Sequence, residues 1–108
     1  MTKTSHNLIM NSLEELKAVD TKILSLKDIS SFTDIMIITS GTSSRHMSAI
    51  SDKIQESLKE KSIPIISVEG KGSSEWVLLD LGDIVVNIMS KSARELYDLE
   101  SLWDPDLL

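Results

Sequence analysis

The segment Gly41-Thr42-Ser43-Ser44-Arg45-His46 is the part of this sequence best supplied for chemistry. A glycine and three hydroxyl residues between an apolar run and an amphipathic segment can open a helix and offer N–H groups to an anion. The spacing is neither that of a phosphate-binding P-loop nor that of the dinucleotide glycine fingerprint. Capping by Thr42 or Ser43 accounts for the hydroxyls without any ligand. Arg45 and His46 then fall in the first turn and read as solvated residues on the outer helix face. Nucleotidyl or phosphoryl transfer would also need two carboxylates on one strand to hold divalent metals. No Asp-x-Asp follows at a usable distance, and Asp80 and Asp83 flank Leu81-Gly82, where aspartate simply suits a turn. His6 and His46 have no partner pattern for a metal or a triad. With no cysteine in the chain, thiolate chemistry, disulfides and Cys-ligated metals are excluded. Neither catalysis nor a cofactor is expected.

The elements that carry these residues follow from periodicity. Residues 5–19 read as an amphipathic helix, with Ile9, Leu13, Leu16 and Val19 at helical spacing. Residues 22–27 alternate over a short stretch, which predicts an edge strand. Residues 33–40 hold the unbroken run Ile35-Met36-Ile37-Ile38, as in a central strand covered on both faces. A second helix starts after Gly41, with Met47, Ile50, Ile54, Leu58 and Lys61 on one side, and Ser62-Ile63-Pro64 breaks it. Residues 65–69 form a strand that a right-handed crossover places parallel to 33–40. Residues 76–80 and 83–89 make a hairpin around Leu81-Gly82. Residues 94–103 are helical in pattern, stopped by Asp104-Pro105. The expected order is α-β-β-α-β-β-β-α: an α/β domain over residues 1–108, with a mixed five-stranded sheet flanked by helices.

Composition is that of an ordinary globular domain, with 41% apolar and 26% charged residues. No apolar run approaches the ~20 residues of a membrane-spanning helix, and the N-terminus shows no signal-peptide pattern, so a cytoplasmic protein is expected. The net charge of −6 is unevenly placed. Up to Lys71 nine acids balance nine bases; from Gly72 onward eight acids face only Lys91 and Arg94. Such a field repels phosphate backbones and suits a basic protein surface, so little direct nucleic-acid contact is expected.

Alternation within the hairpin separates two faces. With Leu81-Gly82 as the turn, Asp80 pairs with Asp83, Leu79 with Ile84, Leu78 with Val85, Val77 with Val86 and Trp76 with Asn87. Val77, Leu79, Ile84, Val86 and Ile88 form a purely aliphatic face, the floor of a core. Trp76, Leu78, Asp80, Asp83, Val85, Asn87 and Met89 form the other. A large aromatic amid polar groups is the composition of an interface centre, so this face is expected to be partly open and to meet another protein. The competing expectation is that the last helix covers it, with Asn87 hydrogen-bonded beneath.

Four stretches, in order along the chain, carry a family resemblance. Phe32-Thr33-Asp34 with Thr39-Ser40-Gly41-Thr42-Ser43-Ser44-Arg45-His46 resembles the hallmark segment of the RsfS/Iojap family of ribosomal silencing factors. Val68-Glu69-Gly70, then Trp76 through Val86, and the closing Arg94-Glu95-Leu96-Tyr97-Asp98-Leu99-Glu100-Ser101-Leu102-Trp103 resemble its later signatures. The resemblance implies a nucleotidyltransferase-like fold without catalytic carboxylates. It also implies a factor that binds large-subunit ribosomal protein fourteen and sterically blocks joining of the small subunit, lowering translation when nutrients run short. A role in large-subunit maturation is associated with relatives.

The expected contact set is Trp76, Leu78, Asp80, Asn87 and Met89 on the sheet, with Tyr97, Glu100 and Trp103 from the last helix. Asn87 is a departure, because the family usually has His there; the amide keeps a donor and an acceptor but cannot become charged. Self-association of the free protein through the same face, giving a homodimer, is the third expectation.

Overall fold

The computed structural model describes residues 2–103. In chain order the elements are α1 (Thr2–Glu15), β1 (Val19–Ser25), β2 (Ile35–Ser40), α2 (Ser44–Glu60), β3 (Ser67–Glu69), β4 (Trp76–Asp80), β5 (Ile84–Met89), α3 (Lys91–Tyr97) and α4 (Leu99–Trp103). The strands form one five-stranded sheet in the order β1-β2-β5-β4-β3. Only β2 and β5 pair in parallel; the other three pairings are antiparallel. The mixed sheet is as expected, and β1 is an edge strand. β3 runs in the same direction as β2 but lies at the far edge, because the β4–β5 hairpin returns the chain and inserts β5 beside β2.

The aliphatic hairpin face is the floor of the main core. Val77, Leu79, Ile84, Val86 and Ile88 are all buried against Ile9 and Leu13 of α1 and Met47, Ile50, Ile54 and Leu58 of α2. At ~1.5–3 kcal/mol per fully buried aliphatic side chain, this layer dominates the stability of the fold. A smaller cluster lies on the opposite face, where Leu24, Leu26, Met36, Ile38 and Met89 meet Ala93, with Trp76 and Leu99 packed against them. β2 therefore feeds both layers, Ile37 to one and Met36 and Ile38 to the other, which is why it is apolar without interruption.

Several boundaries differ from expectation. α1 ends at Glu15, not at Val19. Lys17 takes φ +57, and Ala18 N–H donates to Leu13 O at 2.9 Å while Lys17 N–H donates to Glu14 O at 3.1 Å. That paired closure turns the chain sharply and frees Val19 to begin β1. α2 ends in the same way at Ser62, φ +56, with Ile63 N–H donating to Leu58 O at 2.9 Å.

The hairpin turn is displaced by one residue. Leu81 N–H donates to Ile84 O at 2.9 Å, so Gly82-Asp83 is the turn, and Trp76 pairs with Met89, Val77 with Ile88, Leu78 with Asn87 and Asp80 with Val85. Gly82, at φ +93, supplies the positive angle that the first position of such a turn needs. Asp80 Oδ1 accepts its N–H at 2.8 Å. Because each partner moves by two residues, side-chain parity survives and both faces keep their expected members.

The single helix expected over 94–103 is two. α3 begins earlier, capped by Ser90, whose hydroxyl accepts from Ala93 N at 3.0 Å. It stops at Asp98, φ +46, a left-handed residue whose N–H donates to Arg94 O at 3.0 Å. Aspartate tolerates this conformation better than most residues. The Asp104-Pro105 stop lies outside the described residues.

Candidate protein-docking face

The non-core face of the hairpin is organised around Trp76, the first residue of β4. Ser73 Oγ accepts from Trp76 N at 3.2 Å and from Glu75 N at 3.0 Å, setting the entry into the strand. Gly70, at φ +75, passes so close that a Cβ there would lie 2.2 Å from the Trp76 carbonyl oxygen. The indole Nε1–H donates to Asn87 Oδ1 at 2.9 Å. The ring of Tyr97 sits at a centroid distance of 5.1 Å and a tilt of 43°, within the range where aromatic pairs attract. Trp76 is half-buried, and Tyr97 is 49% exposed. The left-handed turn at Asp98 directly follows Tyr97 and carries the chain away from the ring pair.

The expected contact residues divide under this geometry. Trp76 and Tyr97 come together, and Leu78 and Asp80 continue the same face along β4, both half-buried. Asn87 and Met89 do not reach the surface: they are 1% and 0% exposed, lying beneath the helical layer. As direct contacts they are therefore corrected to supports, since α3 covers that end of β5, with Ala93 packed in the same cluster as Met89. The last helices cover one end of the face, with Asn87 hydrogen-bonded beneath, and leave Leu78, Asp80 and Val85 half-buried at the other. Glu100 is engaged, its Oε1 accepting from Arg94 Nε at 2.7 Å, with the two side chains 26% and 13% exposed. α4 ends at Trp103, but the Trp103 side chain lies outside the described residues.

Arg94 was legible only as part of a signature. Its Nη1 also donates to Ser40 Oγ at 3.2 Å and to Val19 O at 3.4 Å, so one guanidinium joins β1, β2, α3 and α4. Its partner Glu100 is six residues on, which no continuous helix brings to the same side; only the break at Asp98 does. Leu96 and Leu102, 77% and 61% exposed, stand on these two helices and leave apolar surface there.

The first part of the loop 40–46, Ser40 to Ser44, lines a cleft of about 1100 Å³ at the C-terminal ends of β2 and β5. The backbone N–H groups of Gly41, Thr42 and His46 are committed within the chain. Thr42 N–H donates to His46 Nδ1 at 2.9 Å, and Ser43 Oγ accepts from His46 N at 3.1 Å. With Nδ1 acting as acceptor, Nε2 carries the proton and donates to Leu16 O at 2.6 Å. His46 is thus no solvated residue of the outer helix face, as expected from sequence, but a half-buried clamp between the start of α2 and the end of α1. Arg45 is exposed as expected.

What these side chains compose is a half-open face centred on an aromatic pair. A family model described as "Ribosomal silencing factor during starvation" matches residues 2–106, and the chain belongs to that family. Among relatives, a protein of Haemophilus influenzae named ribosomal silencing factor RsfS is 41% identical over 95 residues, covering 88% of this chain and 93% of its own. A crystal structure of a Chromobacterium violaceum protein superposes with a TM-score of 0.89 at 37% identity, over 94% of this chain and 84% of that one. A Mus musculus protein named for mitochondrial assembly of the ribosomal large subunit is 33% identical over 100 residues, covering 90% of this chain but 44% of its own. Family membership supports ribosome-associated silencing of translation, a regulatory and non-enzymatic role. Among the described residues no helix is long and apolar enough to cross a membrane.

Proposed function

We propose that this protein represses translation in the bacterial cytoplasm by docking on the large ribosomal subunit. Large-subunit protein fourteen is the contact, and the bound factor keeps the small subunit from joining. The observation that carries this reading is the Trp76–Tyr97 pair, a half-open aromatic couple held from below by a buried amide. Rigid aromatic anchors ringed by polar residues are where binding energy concentrates in protein interfaces. The acids of the last third of the chain suit the basic surfaces of ribosomal proteins, and the mouse relative's name refers to the large subunit. The contact set is Trp76, Leu78, Asp80 and Tyr97, with Asn87 and Met89 as supports and Glu100 held in place by Arg94.

Tyr97→Ala is the cleaner test, because Trp76 also packs in the second cluster and satisfies Asn87. Wild-type protein should travel with free large subunits in a sucrose gradient and lower the yield of joined ribosomes. Tyr97→Ala, folded by circular dichroism, should bind about tenfold or more weaker, as for a truncated hot-spot aromatic. A folded variant that co-sediments like wild type removes this face from the interface. Wild-type protein absent from the large-subunit fraction removes the function.

A further inference from the structure

Phe32 is 85% exposed, the highest value among the large apolar side chains described. It does not stand on a loose tip. Leu26 N–H donates to Asp34 O at 2.7 Å, closing the base of the loop 27–33, and Ser30 N–H donates back to Leu26 O at 2.9 Å. Ser30 Oγ then accepts from Phe32 N at 3.1 Å and from Thr33 N at 3.4 Å, while Thr33 Oγ1 donates to Ile35 O at 3.2 Å. Leu26 is fully buried in the cluster beneath the docking face. The loop is therefore built and anchored, and it presents Phe32 and the 43%-exposed Ile29 to solvent from a backbone already ordered. Presenting an apolar side chain in this way saves the ordering entropy that binding otherwise consumes.

We propose that this loop is a second contact for the same basic ribosomal partner, with Phe32 entering an apolar recess on it. The proposal rests on the docking reading above. Asp34 N and Ile35 N both donate to Asp83 O at 3.0 Å, which fastens the loop beside the β4–β5 turn. Leu78, Asp80 and Val85, all half-buried, continue the surface from there to Trp76. The span is the length of β5, six residues or about 17 Å at ~3.3 Å each. An ordinary interface of ~800 Å² per partner is wider than that, so one partner reaches both ends. Charge selects the same kind of occupant: Asp28 is exposed in the loop itself, and Asp34 and Asp80 lie at the loop's junction with the β4–β5 turn. A second copy of this chain would bring the same acids against these, a repulsion that a basic partner turns into attraction.

The test uses the full chain with purified large subunits. Phe32→Ala should keep the wild-type melting temperature, because its side chain is almost wholly solvated, yet bind about tenfold weaker. Asp28→Lys should also weaken binding, by a margin that shrinks as salt is raised. If Phe32→Ala binds like wild type while Tyr97→Ala does not, the loop lies outside the interface and the inference falls alone. If wild-type protein fails to bind large subunits, the docking reading falls and takes this one with it. If Phe32→Ala instead turns a dimer into a monomer in sedimentation and leaves subunit binding unchanged, the occupant is a second copy and the proposal is overturned.

Discussion

Trp76 and Asn87 share one hydrogen bond, Nε1–H to Oδ1 at 2.9 Å, and it leaves the buried amide nitrogen Nδ2 of Asn87 without a partner. The indole is thus the group that keeps a 1%-exposed amide from being wholly unsatisfied. Side chain and support are coupled: a half-buried residue of this face also stabilises the layer under it.

Trp76→Phe keeps an aromatic ring and deletes the donor. It should destabilise the protein by ~1–3 kcal/mol, since an uncompensated buried acceptor is left behind. Asn87→Leu in the same chain should recover much of that loss, because both polar groups are then gone. Urea unfolding of the two single variants and the double variant measures this; a double variant worse than the sum of the singles would contradict it.

Arg94→Met should loosen α4 more than it perturbs the sheet. The Arg94–Glu100 pair is short at 2.7 Å and mostly shielded, so a charge-assisted bond of ~1.5–3 kcal/mol is at stake. A double-mutant cycle with Glu100→Gln should return a coupling near ~1 kcal/mol or more, only weakly reduced by salt. No coupling would mean that α4 is held by Leu99 packing alone.

His46→Ala removes three contacts at once, to Thr42 N, Thr42 Oγ1 and Leu16 O. The expected loss is ~1–2 kcal/mol, the range typical of one or two net hydrogen bonds. Hydrogen exchange locates it: the Thr42 amide should lose protection while amides in the middle of β5 follow only the global change. An unprotected Thr42 amide in the wild-type protein would deny the clamp.

Gly82→Ala should cost about 1 kcal/mol or more, because a residue with a Cβ must be held at φ +93. The added Cβ would also lie 3.2 Å from Ile66 Cδ1. Asn or Asp at this position should be tolerated better than Ala, since both enter positive φ more readily. Equal stability of all variants would place the turn elsewhere.

Much of this fold was legible because its signals are periodic. The apolar run of β2, the stripe of α2 and the parity of the β4–β5 hairpin each depend on a repeat that survives small errors of boundary. Parity held even though the turn was displaced by a residue, since faces depend on odd and even positions alone. What periodicity cannot carry is where a chain departs from it. Lys17, Ser62 and Asp98 take left-handed conformations without being glycine, and at Lys17 and Asp98 the helix ends where the apolar pattern continues. Asp98 matters most, for its break brings Arg94 to Glu100 and frees Tyr97 to meet Trp76. In the candidate site, the face that Trp76 occupies was readable from parity, whereas Tyr97 entered only with the C-terminal signature. The burial of Asn87 and Met89 was not readable, because it depends on where α3 lands, and α3 begins three residues before the pattern announces it.

The position of β5 bears on how the molecule is made. It is the last strand to be synthesised and the middle strand of the sheet. Before it emerges, β1 with β2 and β3 with β4 can form only as separate hairpins, each lacking the neighbour that would bury its inner edge. Chain order and spatial order are opposed for β2, which ends at Ser40 and carries an unpaired inner edge until β5 begins at Ile84. Completion of the sheet then becomes a single late event, with the slow kinetics of long-range parallel pairing.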